Sequence, residues 1–301
     1  MNFNDFKGNK RIKKVLQLLV NDSQASGEQF PHTLLTGPAG TGKTTLAKII
    51  ARELGTRLIE ISGATLTNEQ QVISLLANIK NNDILFIDEI HQAKPNIQGA
   101  LLKPLEQRHL SFFVDYESEQ FLIEKELPPF TLIAATTDPD KLLDALLSRF
   151  KVSEQLEDYT AIEIKEIAKA QAELQQIKLN NNTLDLVSDR ARFNPRQVVR
   201  IIELLKRLGS PNLTAKEAST IINDYLALHI HGLTNNDIKY LDYAKDTPKS
   251  LNNIAAKLNQ TRSITTQQER HLIRLDLITT TPRGRLTTNK GINILANIYK
   301  S

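Results

Sequence analysis

The 301-residue chain has no cysteine, no tryptophan, a single methionine and only 5% aromatic residues. Without cysteine there is no disulfide, no thiolate metal site and no thiol nucleophile. Scarce aromatics argue against a single-strand binder, because such proteins hold bases on aromatic platforms. No stretch approaches the roughly 18 consecutive apolar residues of a membrane span. The opening MNFNDFKGNKRIKK lacks the apolar core of an export signal. A cytoplasmic protein with no membrane partner is therefore expected. No repeats or low-complexity tracts stand out.

What is present is ordinary in bulk and uneven in distribution. Forty per cent hydrophobic and 24% charged residues suit a globular protein, and the length allows two or three domains. The net charge of +4 is not shared out: residues 229–301 hold 11 Lys+Arg against 5 Asp+Glu, and the rest of the chain is slightly acidic. Such asymmetry fits a polyanion-binding module joined to a neutral engine, and equally a solvated basic surface.

Periodicity divides the chain. A helix is expected from Asn9 to Val20, with Asn9 as a possible N-cap. Apolar strands at Thr33–Thr36, Arg57–Ile61, Ile84–Ile87 and Phe130–Ala135 alternate with helical segments such as Thr44–Leu54 and Glu69–Ile79. That alternation implies parallel βαβ units with helices on both faces. Between Leu110 and Leu127 a polar-and-aromatic alternation reads as a projecting β-hairpin. Residues 158–228 read as a small helical bundle. From Leu233, two or three helices precede LDLITTTPRGRLTTNKG, a strand–turn–strand around Pro282 and Gly284 that suggests a winged helix. The expected domains are 1–155 (α/β, parallel sheet), 156–228 (small helical domain) and 229–301 (winged helix, of a DNA-binding type).

Gly37-Pro38-Ala39-Gly40-Thr41-Gly42-Lys43-Thr44 satisfies GxxxxGK[ST] in full, after an apolar strand and before an amphipathic helix. Gly37, Gly40 and Gly42 let the backbone curl so that its N–H groups face phosphate oxygens. Lys43 supplies a point charge, Thr44 a hydroxyl for Mg²⁺, and Thr45 continues the helix whose positive end meets the anion. Some 45 residues on, the strand Ile84-Leu85-Phe86-Ile87 ends in Asp88-Glu89. Asp88 is placed to hold the metal shell and Glu89 to polarise the attacking water. ATP and Mg²⁺ are thus the expected ligands. His91 reads as a structural hydrogen-bonder rather than a catalyst, and His32 and His109 have no partner pattern.

These motifs together resemble the AAA+ ATPases, and within them the RuvB family of bacterial Holliday-junction branch-migration motors, over nearly the whole chain. Phe3-Asn4-Asp5-Phe6-Lys7-Gly8-Asn9-Lys10 is similar to the family's adenine-flanking lead-in. ILFIDEIH, LPPFTLIAATT and TPRGR stand at the family's spacing, and the hairpin between the first two has the family's length. The resemblance implies a homo-oligomeric ring, a hexamer, acting on duplex or branched DNA, with a RuvA-like junction-binding protein docking on hairpin 110–127. By position, Thr137 resembles sensor 1, Arg149 an arginine finger offered to the neighbouring subunit, and Arg196 sensor 2. Tyr159 resembles a nucleotide-contacting tyrosine, and Arg283 and Arg285 resemble DNA-contacting residues. The chain also departs from the pattern. Asp138 stands where GATTR has arginine, Ala145-Leu146-Leu147-Ser148-Arg149-Phe150 keeps one arginine where two are usual, and Thr280 replaces the first arginine of RTPRGR.

Two other readings compete with a ring motor on DNA. A clamp-loader or helicase-loader ATPase shares the Ser148-Arg149 pair but has a helical collar in place of a basic wing. A non-enzymatic DNA-binding regulator conflicts with an intact set of Lys43, Asp88, Glu89 and Arg196.

Overall fold

The computed structural model describes residues 1–116, 119–210 and 213–299. The chain divides into two compact units, Met1–Tyr159 and Thr160–Ser301. Among the described residues no helix is long and apolar enough to cross a membrane.

The first unit is built on five parallel strands, β1 (Thr33–Thr36), β2 (Leu58–Ser62), β3 (Ile84–Asp88), β6 (Thr131–Thr136) and β7 (Val152–Gln155), in the order β2-β3-β6-β1-β7. Strands β4 (His109–Tyr116) and β5 (Glu119–Glu126) form the separate hairpin. Alternate residues of the central strands face opposite sides, as the period of two in a strand demands. Leu34, Leu85, Ile87, Leu132 and Ala134 enter one buried cluster; Leu35, Ile84, Phe86, Ile133 and Ala135 enter the other. Continuous apolar runs such as ILFI are what a sheet covered on both faces requires.

Helices α1 (Lys10–Ser26) and α2 (Lys43–Leu54) cover the second face through Leu16, Leu46, Ile49 and Ile50. Helices α3 (Glu69–Ala77), α4 (Pro95–Ala100) and α5 (Leu102–Gln107) cover the first through Val72, Leu76, Ile97 and Leu105. Each fully buried side chain of this size contributes about 1.5–3 kcal/mol. A short helix, α6 (Asp144–Leu147), precedes β7.

Two local expectations change. The first helix runs past Val20 to Ser26, where Gly27 in the left-handed conformation (φ 72°) ends it. Asn9 precedes that helix but makes no side-chain cap; its amide instead accepts from the Glu157 N–H at 2.9 Å, joining the lead-in to the far end of the sheet. Strand β7 is an addition. Its pattern is mixed, because as an edge strand it buries only Glu154, which pairs with Arg11.

The second unit opens with α7 (Ala161–Leu174), α8 (Asn181–Arg190), α9 (Pro195–Leu208) and α10 (Ala215–Leu226). Capping boxes at Thr160/Glu163 and Thr214/Glu217 start the first and last of these, and Asn194 followed by Pro195 starts α9. Then come α11 (Asn235–Tyr243), α12 (Leu251–Lys257), α13 (Arg262–Arg274), the ribbon β8 (Ile278–Thr281) with β9 (Gly284–Thr287), and α14 (Asn289–Ile298). Three helices followed by a ribbon is the expected winged-helix order. The closing helix α14 was not expected. Its Ile294 and Leu295 complete the core that Leu241, Ile254, Leu272 and Leu277 begin.

Candidate nucleotide site and candidate DNA interface

Parallel α/β sheets present ligand sites at the carboxyl ends of their strands. Here β1, β3 and β6 are neighbours, so the segments leaving them meet. The loop after β1 depends on glycine at 37, 40 and 42, with φ of 131°, 81° and 103°. A β-carbon on Gly37 would lie 2.4 Å from the Leu156 carbonyl oxygen, and one on Gly42 would lie 2.8 Å from the Phe6 ring. The loop is therefore clamped between the lead-in and the segment after β7. Tyr159, buried, donates its hydroxyl to the Thr41 carbonyl at 2.7 Å. Lys43 is buried at the start of α2, its Nζ 2.8 Å from the Gly37 carbonyl and 3.0 Å from that of Pro38. Thr45 is half-buried in the first turn of the same helix.

The acidic half faces this loop. Thr44 donates its hydroxyl to Asp88 Oδ2 at 3.2 Å, and the other Asp88 oxygen accepts from the Glu89 N–H at 3.0 Å. Glu89 has φ 48°, a left-handed conformation that turns its side chain off the end of the strand. Its Oε2 accepts from both the N–H (3.2 Å) and the hydroxyl (3.0 Å) of Thr137, at the end of β6. His91 Nδ1 lies 3.2 Å from the same oxygen and 2.9 Å from the Thr136 hydroxyl. The structure thus gathers Gly37, Gly40, Gly42, Lys43, Thr44, Thr45, Asp88, Glu89, Thr137 and Tyr159 around one loop. It adds two residues with no assigned role in the motif reading, Phe6 and Thr136, and His91 bonds to Thr136 as the structural hydrogen-bonder the sequence suggests. Phe6 was legible only as part of the lead-in, and the His91 contact follows from DEIH turning back on the strand end.

The oxygen donors Thr44 Oγ1 and Asp88 Oδ2 are hard ligands of the type Mg²⁺ takes, few in number as expected for an ion that also binds phosphate and water. Among the described residues no cluster of three or more acidic or histidine side chains offers a self-contained metal cage.

Arg149, also in the first unit, donates from Nη2 to Glu106 Oε2 at 2.7 Å and from Nη1 to the Ser148 hydroxyl at 3.1 Å. Asp138, the charge-reversed neighbour of Thr137, pairs with Lys141 at 2.8 Å, which holds its carboxyl below the usual value.

In the second unit Arg196 is exposed on the first turn of α9, where its N–H is capped by Asn194 at 2.9 Å. The wing separates the two arginines of TPRGR. Arg283 is exposed at the turn. Arg285 turns inward: its Nε lies 2.6 Å from Glu269 Oε1, and Glu269 is buried and also accepts from the Tyr240 hydroxyl at 3.4 Å. The Glu269 carboxylate beside it raises the already high Arg285 pKa. Gly284 has φ 132° and packs against Lys249, which exchanges two backbone hydrogen bonds with Arg285 (2.8 and 2.9 Å). A straight ribbon would put both arginines on one side; the turn and the buried carboxylate prevent it.

Residues 1–156 match the model of the Holliday junction DNA helicase RuvB P-loop domain, and residues 230–296 match the RuvB C-terminal winged helix domain. The Holliday junction branch migration complex subunit RuvB of Mycoplasma genitalium is 30% identical, over 98% of this chain and 96% of that protein. The protein of the same name from Rickettsia africae is 32% identical, over 94% and 85%. The crystal structure of the Thermotoga maritima RuvB Holliday junction branch migration motor aligns with a TM-score of 0.81 at 30% identity, covering 98% of this chain and 97% of that one. With matching P-loop and wing, near-complete coverage and a shared fold, the chain belongs to the RuvB family of AAA+ ATPases.

Proposed function

We propose that this chain is an ATP-hydrolysing motor that translocates duplex DNA and drives branch migration at Holliday junctions, working as a hexameric ring. The observation that carries the reading is the convergence of Lys43, Thr44, Asp88, Glu89 and Thr137 at adjacent strand ends. It is joined in one chain to a winged helix that carries the positive charge.

The loop N–H groups and Lys43 bind the ATP phosphates, and Tyr159 and Phe6 brace the loop from outside. Glu89 orients and polarises the attacking water, while Thr137 senses the γ-phosphate with the hydroxyl that here holds Glu89. Thr44 and Asp88 would hold Mg²⁺, which would neutralise charge on the phosphate oxygens. Arg149 completes the site of a neighbouring subunit, and Arg196 reports nucleotide state from the lid. The lid is residues 156–228 and the wing 229–301. Within the wing, Arg283 contacts phosphate and Arg285 fixes the ribbon. The hairpin exposes Phe113, Phe121 and Leu122, and a RuvA-like protein covers it.

The deciding experiment follows a labelled synthetic four-way junction in ATP and Mg²⁺, with and without a RuvA-like protein. Wild type should convert it to two duplexes. Glu89→Gln should bind ATP and convert none. Equal ATP turnover by wild type and Glu89→Gln would remove the catalytic assignment. A clamp-loader-like activity would appear instead as turnover stimulated by a sliding clamp and no junction conversion.

A further inference from the structure

Backbone strain in the second unit collects between α8 and α11. Arg192 and Phe193, in the loop before α9, have φ of 54° and 56°, and His231, in the turn before α11, has φ 56°. Side chains with a β-carbon keep this conformation only where their surroundings over-determine it. Asp189, at the end of α8, accepts from the His231 N–H at 2.8 Å and lies 2.6 Å from its Nδ1. Burial pushes the Asp189 carboxyl up, but the His231 hydrogen bonds outweigh it and hold it below its usual value. Arg192 donates to the Gly232 carbonyl at 3.2 Å and to the buried Asp237 carboxylate at 2.5 Å. That carboxylate also caps α11.

Helix α13 closes the cluster from the other side. His271 Nε2 lies 2.9 Å from the His231 carbonyl; since a carbonyl only accepts, that nitrogen carries the proton. The Arg274 guanidinium stacks 3.7 Å over the Phe193 ring, and the His271 ring meets that ring edge-on at 6.2 Å. Phe193 is followed directly by Asn194, which caps α9, and then by Pro195 and Arg196.

We propose that Arg192 and Phe193 are positioning residues for Arg196, forming a joint through which α13, the second helix of the wing's helix-turn-helix, communicates with the first turn of α9. The joint rests on the reading of Arg196 as nucleotide sensor and of the wing as DNA-binding. Load on α13 moves His271 and Arg274, and with them the Phe193 ring and the cap of α9. By reciprocity, nucleotide at Arg196 alters the wing's hold on DNA.

The test compares ATP turnover with and without duplex DNA in the full chain, alongside nucleotide and DNA affinities and melting curves. Phe193→Ala should fold, bind nucleotide alone and DNA alone as wild type does, lose at least about fivefold of the nucleotide dependence of DNA affinity, the lower range of allosteric coupling, and with it the DNA stimulation of turnover. Phe193→Tyr keeps the ring and should keep the stimulation. Arg192→Met combined with Asp237→Asn, which retains a cap, provides an independent break should Phe193→Ala not fold. Full DNA stimulation in either folded variant, or equal loss in Phe193→Tyr and Phe193→Ala, overturns the joint. Arg196→Ala separates the two readings. If it leaves turnover unchanged, the sensor reading fails and the joint with it. If it lowers turnover while folded Phe193→Ala keeps full stimulation, the joint alone fails.

Discussion

Arg283 and Arg285 belong to one short motif and have different surroundings, so they should fail differently when removed. Arg283 is exposed, and its loss should remove one phosphate contact. Arg283→Ala should flatten the slope of log K against log salt by about 0.9, weaken all duplex sequences alike and leave the melting temperature unchanged. Arg285 neutralises a buried carboxylate. Arg285→Ala should therefore destabilise the second unit by roughly 2–3 kcal/mol, below the usual range for a fully buried pair because the arginine is itself a quarter exposed. Salt titrations and melts of the two single variants check both outcomes. The motif TPRGR told that arginines were present. Their directions depended on Glu269, sixteen residues upstream, and on Lys249 across the ribbon, neither of which local spacing reveals.

Elements were legible where one period dominated. Strands β1, β3 and β6, helix α2, the hairpin and the helical run after Tyr159 all have apolar patterns strong enough to stand alone, and the nucleotide loop came with them. Strand β7 is four residues long at a sheet edge, and α14 follows a ribbon whose polar composition masks the start of a helix. Their identity comes from packing partners rather than from their own sequence. Helix α13 makes a prediction of its own. Burial, with the Arg192 charge beside it, pushes His271 from 6.5 down to about 4. Between those values the unfolded chain takes up a proton that the folded chain refuses, so this histidine leaves stability intact above about pH 6.5 and erodes it as pH falls towards 4. Half-buried His32, whose Nδ1 accepts from the Leu132 N–H, acts in the same direction in the first unit. Melting curves from pH 7.5 to 4.5 should fall more steeply for wild type than for His271→Gln, whose amide can still donate to the His231 carbonyl. Parallel curves would show that this ring does not govern the acid sensitivity.

At the scale of the whole molecule, the proposed in-trans role of Arg149 makes catalysis depend on two subunits. Arg149 is paired with Glu106 within its own chain. An arginine supplied from a neighbour is worth roughly 10³–10⁵ in turnover. Arg149→Ala should therefore bind nucleotide normally and turn over slowly, and Lys43→Ala should fail to bind. Mixing the two inactive proteins should restore part of the activity at interfaces where an intact loop meets an intact finger. Mixtures that remain inactive at every ratio would place Arg149 in a role within its own chain.

The hairpin has a further consequence for how the protein behaves in solution. Every residue of β5 is exposed, and Phe113, Val114, Phe121, Leu122 and Ile123 put apolar surface on both faces of a two-stranded ribbon. With a side-chain period of two, such a ribbon has no polar side to turn to water, and a slip of register costs it little. Its two outer edges also carry backbone groups ready to pair with another chain. The apolar surface that would suit the ribbon to the proposed partner also limits solubility: uncovered, it carries a self-association hazard that rises with concentration and that added salt does not relieve.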